Sequence, residues 1–161
     1  MSQNALPATL LRPTRVDAHV FRYPIATPVR TSFGVMHDRP AVFVRVEDAD
    51  GAVGWGEIWC NFPACGAEHR ARLVDTVLAP LLLGQRFDGP AAAWAALSAR
   101  TEVLALHSGE PGPIAQAIAG VTRVLKVEAP HYAEPLAENL AVLVQRVAGE
   151  VAVELHVQPF E

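Results

Sequence analysis

PAVFVRVEDADGAVGWGE, residues 40–57, alternates apolar and polar positions and carries one turn signal in its middle. Val42, Val44 and Val46 fall on one side of an extended chain, with Ala41, Phe43, Arg45 and Glu47 on the other, because successive side chains of a strand point to opposite faces. Asp50 and Gly51 form a hairpin pair, and residues 52–58 then return antiparallel. Upstream, VDAHVFRY (16–23) alternates in the same way, with Val16, Ala18, Val20 and Arg22 on one side. Three strands in succession make an antiparallel meander.

The first two strands are separated by PIATPVRTSFGVMHDRP (24–40), whose prolines and Gly34 predict a long loop of the kind that carries function. The third strand runs into GEIWCNFPACG (56–66), where aromatics, an acid and two cysteines sit among glycines, and this predicts a loop that shapes a pocket. Helical spacing follows. In 67–83, Ala71, Val74, Leu78 and Leu81 recur every three or four positions, and Gly84 fits a helix C-terminus. Residues 88–105 begin with Asp88 as a capping residue and Pro90 in the first turn, with Trp94, Leu97, Thr101 and Leu104 as the apolar stripe. Residues 110–120 form another helix, with Ile114, Ala117 and Ile118 inward. A strand over 121–129, a helix over 135–149 and a strand over 150–157 then read as one βαβ unit. Trp55, inside a strand, is expected in the core, whereas Trp59 and Phe62 are divided between lid and packing roles.

Composition narrows the function classes. With 51% hydrophobic and 19% charged residues the chain is globular rather than disordered. Thirteen basic and seventeen acidic residues are well mixed at a net charge of −4, which gives no nucleic-acid footprint. The longest apolar run, 77–83, is broken by Pro80 and falls well short of the roughly 20 residues of a membrane span. The first fifteen residues do not read as a signal peptide, so the expected location is the cytoplasm, with Cys60 and Cys65 as free thiols. Their spacing does not match a structural zinc pair, and the six histidines show no zinc motif.

The ordered set of RTSFG (30–34), PAVFVRVEDADG (40–51), GWGE (54–57), APLLLGQ (79–85), DGPAAAW (88–94) and QAIAG (116–120) resembles the N-terminal capping domain of the enolase superfamily. The closest likeness is to the mandelate racemase and muconate-lactonising enzyme group. The resemblance implies a fold of class α+β: an antiparallel β-meander followed by a helical bundle, with a short βαβ remnant of a TIM barrel. It also implies three regions: a disordered or extended N-terminus (1–13), the cap (14–120) and a partial barrel segment (121–161). A complete barrel takes about 250 residues, more than this chain of 161 offers.

In such enzymes two cap loops close over a barrel mouth, where a base removes a proton next to a carboxylate and magnesium stabilises the enediolate. The loops match 24–39 and 57–66 here, and the likeness implies substrate contacts from Thr31, Phe33, His37, Glu57, Trp59 and Phe62. Lys126 matches the first lysine of the family's Lys-x-Lys and is the catalytic candidate, but Glu128 stands where the second lysine belongs. Gln158 and Phe160 stand where the family carries Asp-x-Asn. A second register places Ala133 at a ligand position and Glu154 at a later one. Glu128 and Glu154 read as metal ligands or general bases, or else as exposed strand carboxylates, the more usual place for such residues. Magnesium is thus the family's cofactor, and no metal site is assigned in this chain. The chain is expected to be inactive alone, to take a small carboxylate such as an acid sugar if active, and to self-associate through the barrel remnant. The alternative is a non-catalytic binding or oligomerisation module.

Overall fold

A computed structural model describes residues 10–124. Three strands, β1 (Pro13–Thr31), β2 (Gly34–Asp48) and β3 (Val53–Ile58), form an antiparallel sheet in the order β1-β2-β3. The helices follow: α1 (Gly66–Leu73), a π-helical stretch (Val74–Leu78), α2 (Ala79–Leu82), α3 (Pro90–Ser108) and α4 (Pro111–Val124). The meander and helical bundle expected from the residues are both present.

The alternation of β2 sorts as its sequence requires. Val42, Val44 and Val46 are buried against the helices, while Phe43, Arg45 and Glu47 lie on the outer face. The turn after β2 closes through the amide of Asp48, which donates to the Ala52 carbonyl at 2.8 Å, with Gly51 at φ +87°. Leu11 bridges Phe87 by two backbone hydrogen bonds of 2.9 and 3.0 Å, which fastens the chain ahead of β1 to the segment before α3.

GWGE owes its composition to packing. Gly54 and Gly56 face α4. A Cβ on residue 54 would lie 2.6 Å from a Val124 methyl, and one on residue 56 would fall on the Gly120 carbonyl oxygen. From the other side, a Cβ on Gly120 would collide with the Ile58 side chain. The three glycines let α4 lie flush on β3, closer than any side chain permits. The intervening Trp55 therefore points outward. It is half-buried on the outer face, 5.6 Å from the His19 ring, and not in the core as expected.

Other expectations are corrected. Residues 24–40 are not a loop but the outer half of a long β1-β2 hairpin, which turns at 31–34. Prolines are tolerated there because each sits where no ladder bond is lost. Pro24 and Pro28 lie on the edge strand at a register irregularity between Pro24 and Val29, and Pro40 lies beyond Val42, the last residue of β2 paired with β3. In the first helical segment Ala71, Val74 and Leu78 are buried as expected, joined by Ala67 and Leu82, while Leu81 is partly buried against the same core. Pro80 has no N–H for the preceding turn and crowds its carbonyl, and the helix widens into a π turn just before it. Helix α3 starts after Gly89 without a side-chain cap from Asp88. Its buried face is Ala93, Leu97 and Thr101, whereas Trp94 and Leu104 are each 41% exposed. The Thr101 and Thr122 hydroxyls, both buried, donate to carbonyls one turn back, at 2.9 Å to Leu97 and 2.8 Å to Ile118.

Helix α4 runs through Val124, so the first four residues of the strand expected over 121–129 are helical. The periodicity of 121–124 allows either state; tertiary packing settles it, since Val121 and Val124 are buried and belong to the face that α4 lays on the sheet. The rest of the expected βαβ segment lies outside the described residues.

Gly56→Ala is expected to lower stability by about 1–3 kcal/mol, the usual range for overpacking a tight contact. Gly112→Ala, with nothing within 4 Å of the added methyl, should be neutral or raise stability by up to about 1 kcal/mol. Urea denaturation of the two variants measures the contrast.

Candidate functional site at the hairpin tip

The outer half of the β1-β2 hairpin projects past β3 as a two-stranded ribbon, and such ribbons are marginal unless something supports them. Its tip is a two-residue turn, Ser32 and Phe33, between the paired Thr31 and Gly34. The Thr31 hydroxyl accepts from the Phe33 amide at 3.1 Å and donates to the Gly34 carbonyl at 3.2 Å. Phe33 is 83% exposed, yet its ring lies 5.9 Å from that of Phe62, in the loop between β3 and α1. The two segments assigned to a mouth thus touch through one aromatic pair.

Arg22 makes the deeper connection. It occupies an inward position of β1 and points at the start of α1. Its Nε donates to Glu68 at 2.8 Å, and one terminal nitrogen donates to both Asp38 oxygens at 2.9 and 3.1 Å. The other terminal nitrogen donates to Glu68 at 2.7 Å and to the Ala64 carbonyl at 2.6 Å. Both strands of the hairpin, the 59–65 loop and α1 therefore meet at one guanidinium. An isolated exposed ion pair contributes about 0–1 kcal/mol, but a bidentate fork is both stronger and directional. Hydrogen bonds from Arg22 hold the Glu68 carboxyl below the usual range, and Glu68 and Asp38 keep the guanidinium charged.

Arg70 supports the same loop from below. It is buried, donates to Gln116 of α4 at 2.8 Å and to the Gly66 carbonyl at 2.9 Å, and lies 5.8 Å from the centroid of Trp59. Burial lowers its pKa, so the charge is held at a cost that the carbonyl and the indole face offset in part. Trp59 itself is 52% exposed. Cys60 is buried, which pushes its thiol up, and Cys65 is exposed.

Of the residues singled out from sequence, Thr31, Phe33, Trp59 and Phe62 lie on these two segments, and Phe33 and Phe62 are in contact. His37 and Glu57 are exposed and lie on the sheet's outer face. They are not brought together: Glu57 pairs with Phe43, six positions beyond His37 and roughly 20 Å along β2. Lys126, Glu128 and Glu154 lie outside the described residues. Arg22 and Arg70 were not singled out, although each had a signal: a charged residue at an inward strand position and another within an apolar helical stripe.

An antiparallel meander whose long hairpin and third-strand loop meet over a helical bundle is the architecture of an α+β capping domain. The family model described as "Mandelate racemase / muconate lactonizing enzyme, N-terminal domain" matches residues 15–137, and the chain belongs to this family. A mandelate racemase/muconate lactonizing enzyme from Bordetella bronchiseptica RB50 is 64% identical, covers 73% of this chain and 29% of its own, and superposes with a TM-score of 0.65. A racemase from Streptomyces coelicolor A3(2) with bound magnesium is 29% identical, with 70% and 30% coverage and a TM-score of 0.60. A member of the enolase superfamily from Polaromonas sp. JS666 is 26% identical, with 71% and 29% coverage and a TM-score of 0.58. The chain spans about a third or less of the length of these relatives. No curated protein matches.

Two outcomes are expected. A thiol reagent should modify one cysteine per chain under native conditions and both in denaturant, with mass mapping placing the fast one at Cys65. For Glu68, whose folded pKa is depressed, the associated stability is present above its unfolded pKa near 4.5 and is lost as pH falls through the folded value. Asp75, raised by burial, acts in the opposite sense. Urea stability measured from pH 6 to 3 should therefore fall less steeply for Glu68→Gln than for the parent chain.

Proposed function

We propose that residues 10–124 serve as the lid of a racemase- or cycloisomerase-type site, closing the 24–39 and 57–66 segments over a small carboxylate, acid sugars included. The observation that carries this reading is the contact of Phe33 with Phe62, backed by Arg22, which unites the two segments that the family places at the mouth. Thr31, Phe33, Trp59 and Phe62 form the inner surface, and His37 and Glu57 contribute at its margins. A lid of this kind excludes water and strengthens electrostatic interactions beneath it. Lys126, by its match to the family, would polarise the substrate carboxylate.

The family's magnesium finds no fit among the described residues, where no group of three or more His, Cys, Asp or Glu side chains could hold a metal ion. No catalytic step is routed through them. Among the described residues, no helix is long and apolar enough to cross a membrane. A cytoplasmic location and self-association through the segment after residue 120 belong to the same reading.

Purified 161-residue chain is expected to show no solvent deuterium uptake at the α carbon of mandelate or acid sugars with magnesium, by proton NMR; uptake would contradict it. The lid role is tested by transplanting residues 10–124 onto the Bordetella relative. The chimera should retain α-proton exchange, and Phe62→Ala within it should raise KM several-fold with less effect on kcat. A chimera indifferent to Phe62 would count against the reading.

A second reading, a non-catalytic binding module, draws on the outer sheet face. There His19 packs near Trp55 and Phe21 near Phe43, with no element laid over them among the described residues. Substrate-independent dimers in light scattering, lost in Trp55→Ser, would favour it.

A further inference from the structure

We infer that Arg22 is a positioning residue that couples the hairpin tip to the 59–65 loop, so that the two halves of the lid order and disorder together. Its role in enclosing substrate rests on the lid reading above; the coupling itself does not.

The ribbon beyond β3 has hydrogen-bonding partners on one side of each strand only, and its register is interrupted between Pro24 and Val29. The loop, for its part, has few bonds of its own: the Gly66 amide donates to Pro63 at 2.7 Å, and the His69 amide to Cys65 at 3.0 Å. Neither segment is stiff alone. The guanidinium of Arg22 spends donors on both: Asp38 on the ribbon's second strand, Ala64 in the loop and Glu68 in the first turn of α1. Losing it releases a carbonyl and two carboxylates at once, and those carboxylates are then left to repel each other. The contact between Phe33 and Phe62, with one ring 83% exposed, is too open to hold the segments together by itself. Lysine cannot replace the fork, since a compact ammonium cannot bridge two carboxylates and a carbonyl in one plane. Arg70 holds the loop's far end to α4 but touches no part of the ribbon, so it steadies the loop without coupling it.

Hydrogen exchange on the intact chain tests this. In Arg22→Lys and Arg22→Gln, amides of 29–36 and those of Gly66 and His69 should both exchange faster by about tenfold or more, as expected for lost charge-assisted bonds. Amides of 42–46 should keep their protection, which shows that the fold is intact. Glu68→Gln, a milder change, should accelerate both segments in the same ratio but by less. Acceleration of one segment alone, or of neither, would overturn the coupling, as would a uniform loss that includes 42–46 in all three variants. A failure of the lid chimera with the exchange result intact would remove the enzymatic role and leave the coupling standing.

Discussion

The seam where α4 meets β3 is the constraint on which the rest depends. Gly54, Gly56 and Gly120 leave the line of contact to the backbone and to the side chains of Val124 and Ile58, which the space above the glycines admits. Burial there is not large per residue, but it fixes the distance between sheet and bundle. Val42, Val44, Val46 and Ile58 then share one buried cluster with Ile114, Ala117, Ile118 and Val121. It also decides which way the aromatic residues of β3 point. With α4 pressed on the glycine side, Trp55 has nowhere to go but the outer face.

A sheet fixed in this way leaves the outer half of the β1-β2 hairpin unsupported by β3, and the charged residues at its root are the remedy. Arg22 sits at an inward position where a valine or alanine would continue the core pattern of Val16, Ala18 and Val20, and α1 offers Glu68 in place of apolar surface. The core thus ends in a charged joint rather than fading into solvent. Beyond that joint, the tip and the 59–65 loop are held by few contacts, the condition under which segments open locally.

Much of this was legible in the residues. Period-two alternation identified β2 and its buried face, the Asp50 and Gly51 pair gave the turn, and three- to four-residue spacing gave the inward residues of α4. What was not legible has a common cause. Proline and glycine density in 24–40 suggests a loop when read locally, yet an edge strand and an unpaired half of β2 tolerate those residues. In α3, Leu97 and Thr101 of the expected stripe are buried, but the small Ala93 completes that face while Trp94 and Leu104 lie largely outside it. Glycines in GWGE are contact surfaces, which no local pattern distinguishes from the glycines of a loop. Residues 121–124 carry a β-branched pattern that suits a strand, but α4 extends through them because the sheet needs Val121 and Val124. Around the hairpin tip the aromatic residues stood out, whereas the inward Arg22 and the stripe residue Arg70 signalled only a buried charge, because their partners lie on other elements.

The seam can be observed without altering it. Nuclear Overhauser spectra of the labelled chain should connect the α protons of Gly54 and Gly56 with the Val124 methyl groups, and the α protons of Gly120 with the Ile58 side chain. A folded chain showing the strand pairings of the meander but none of these cross-peaks would mean that α4 does not lie on β3, and the architecture described above would be wrong.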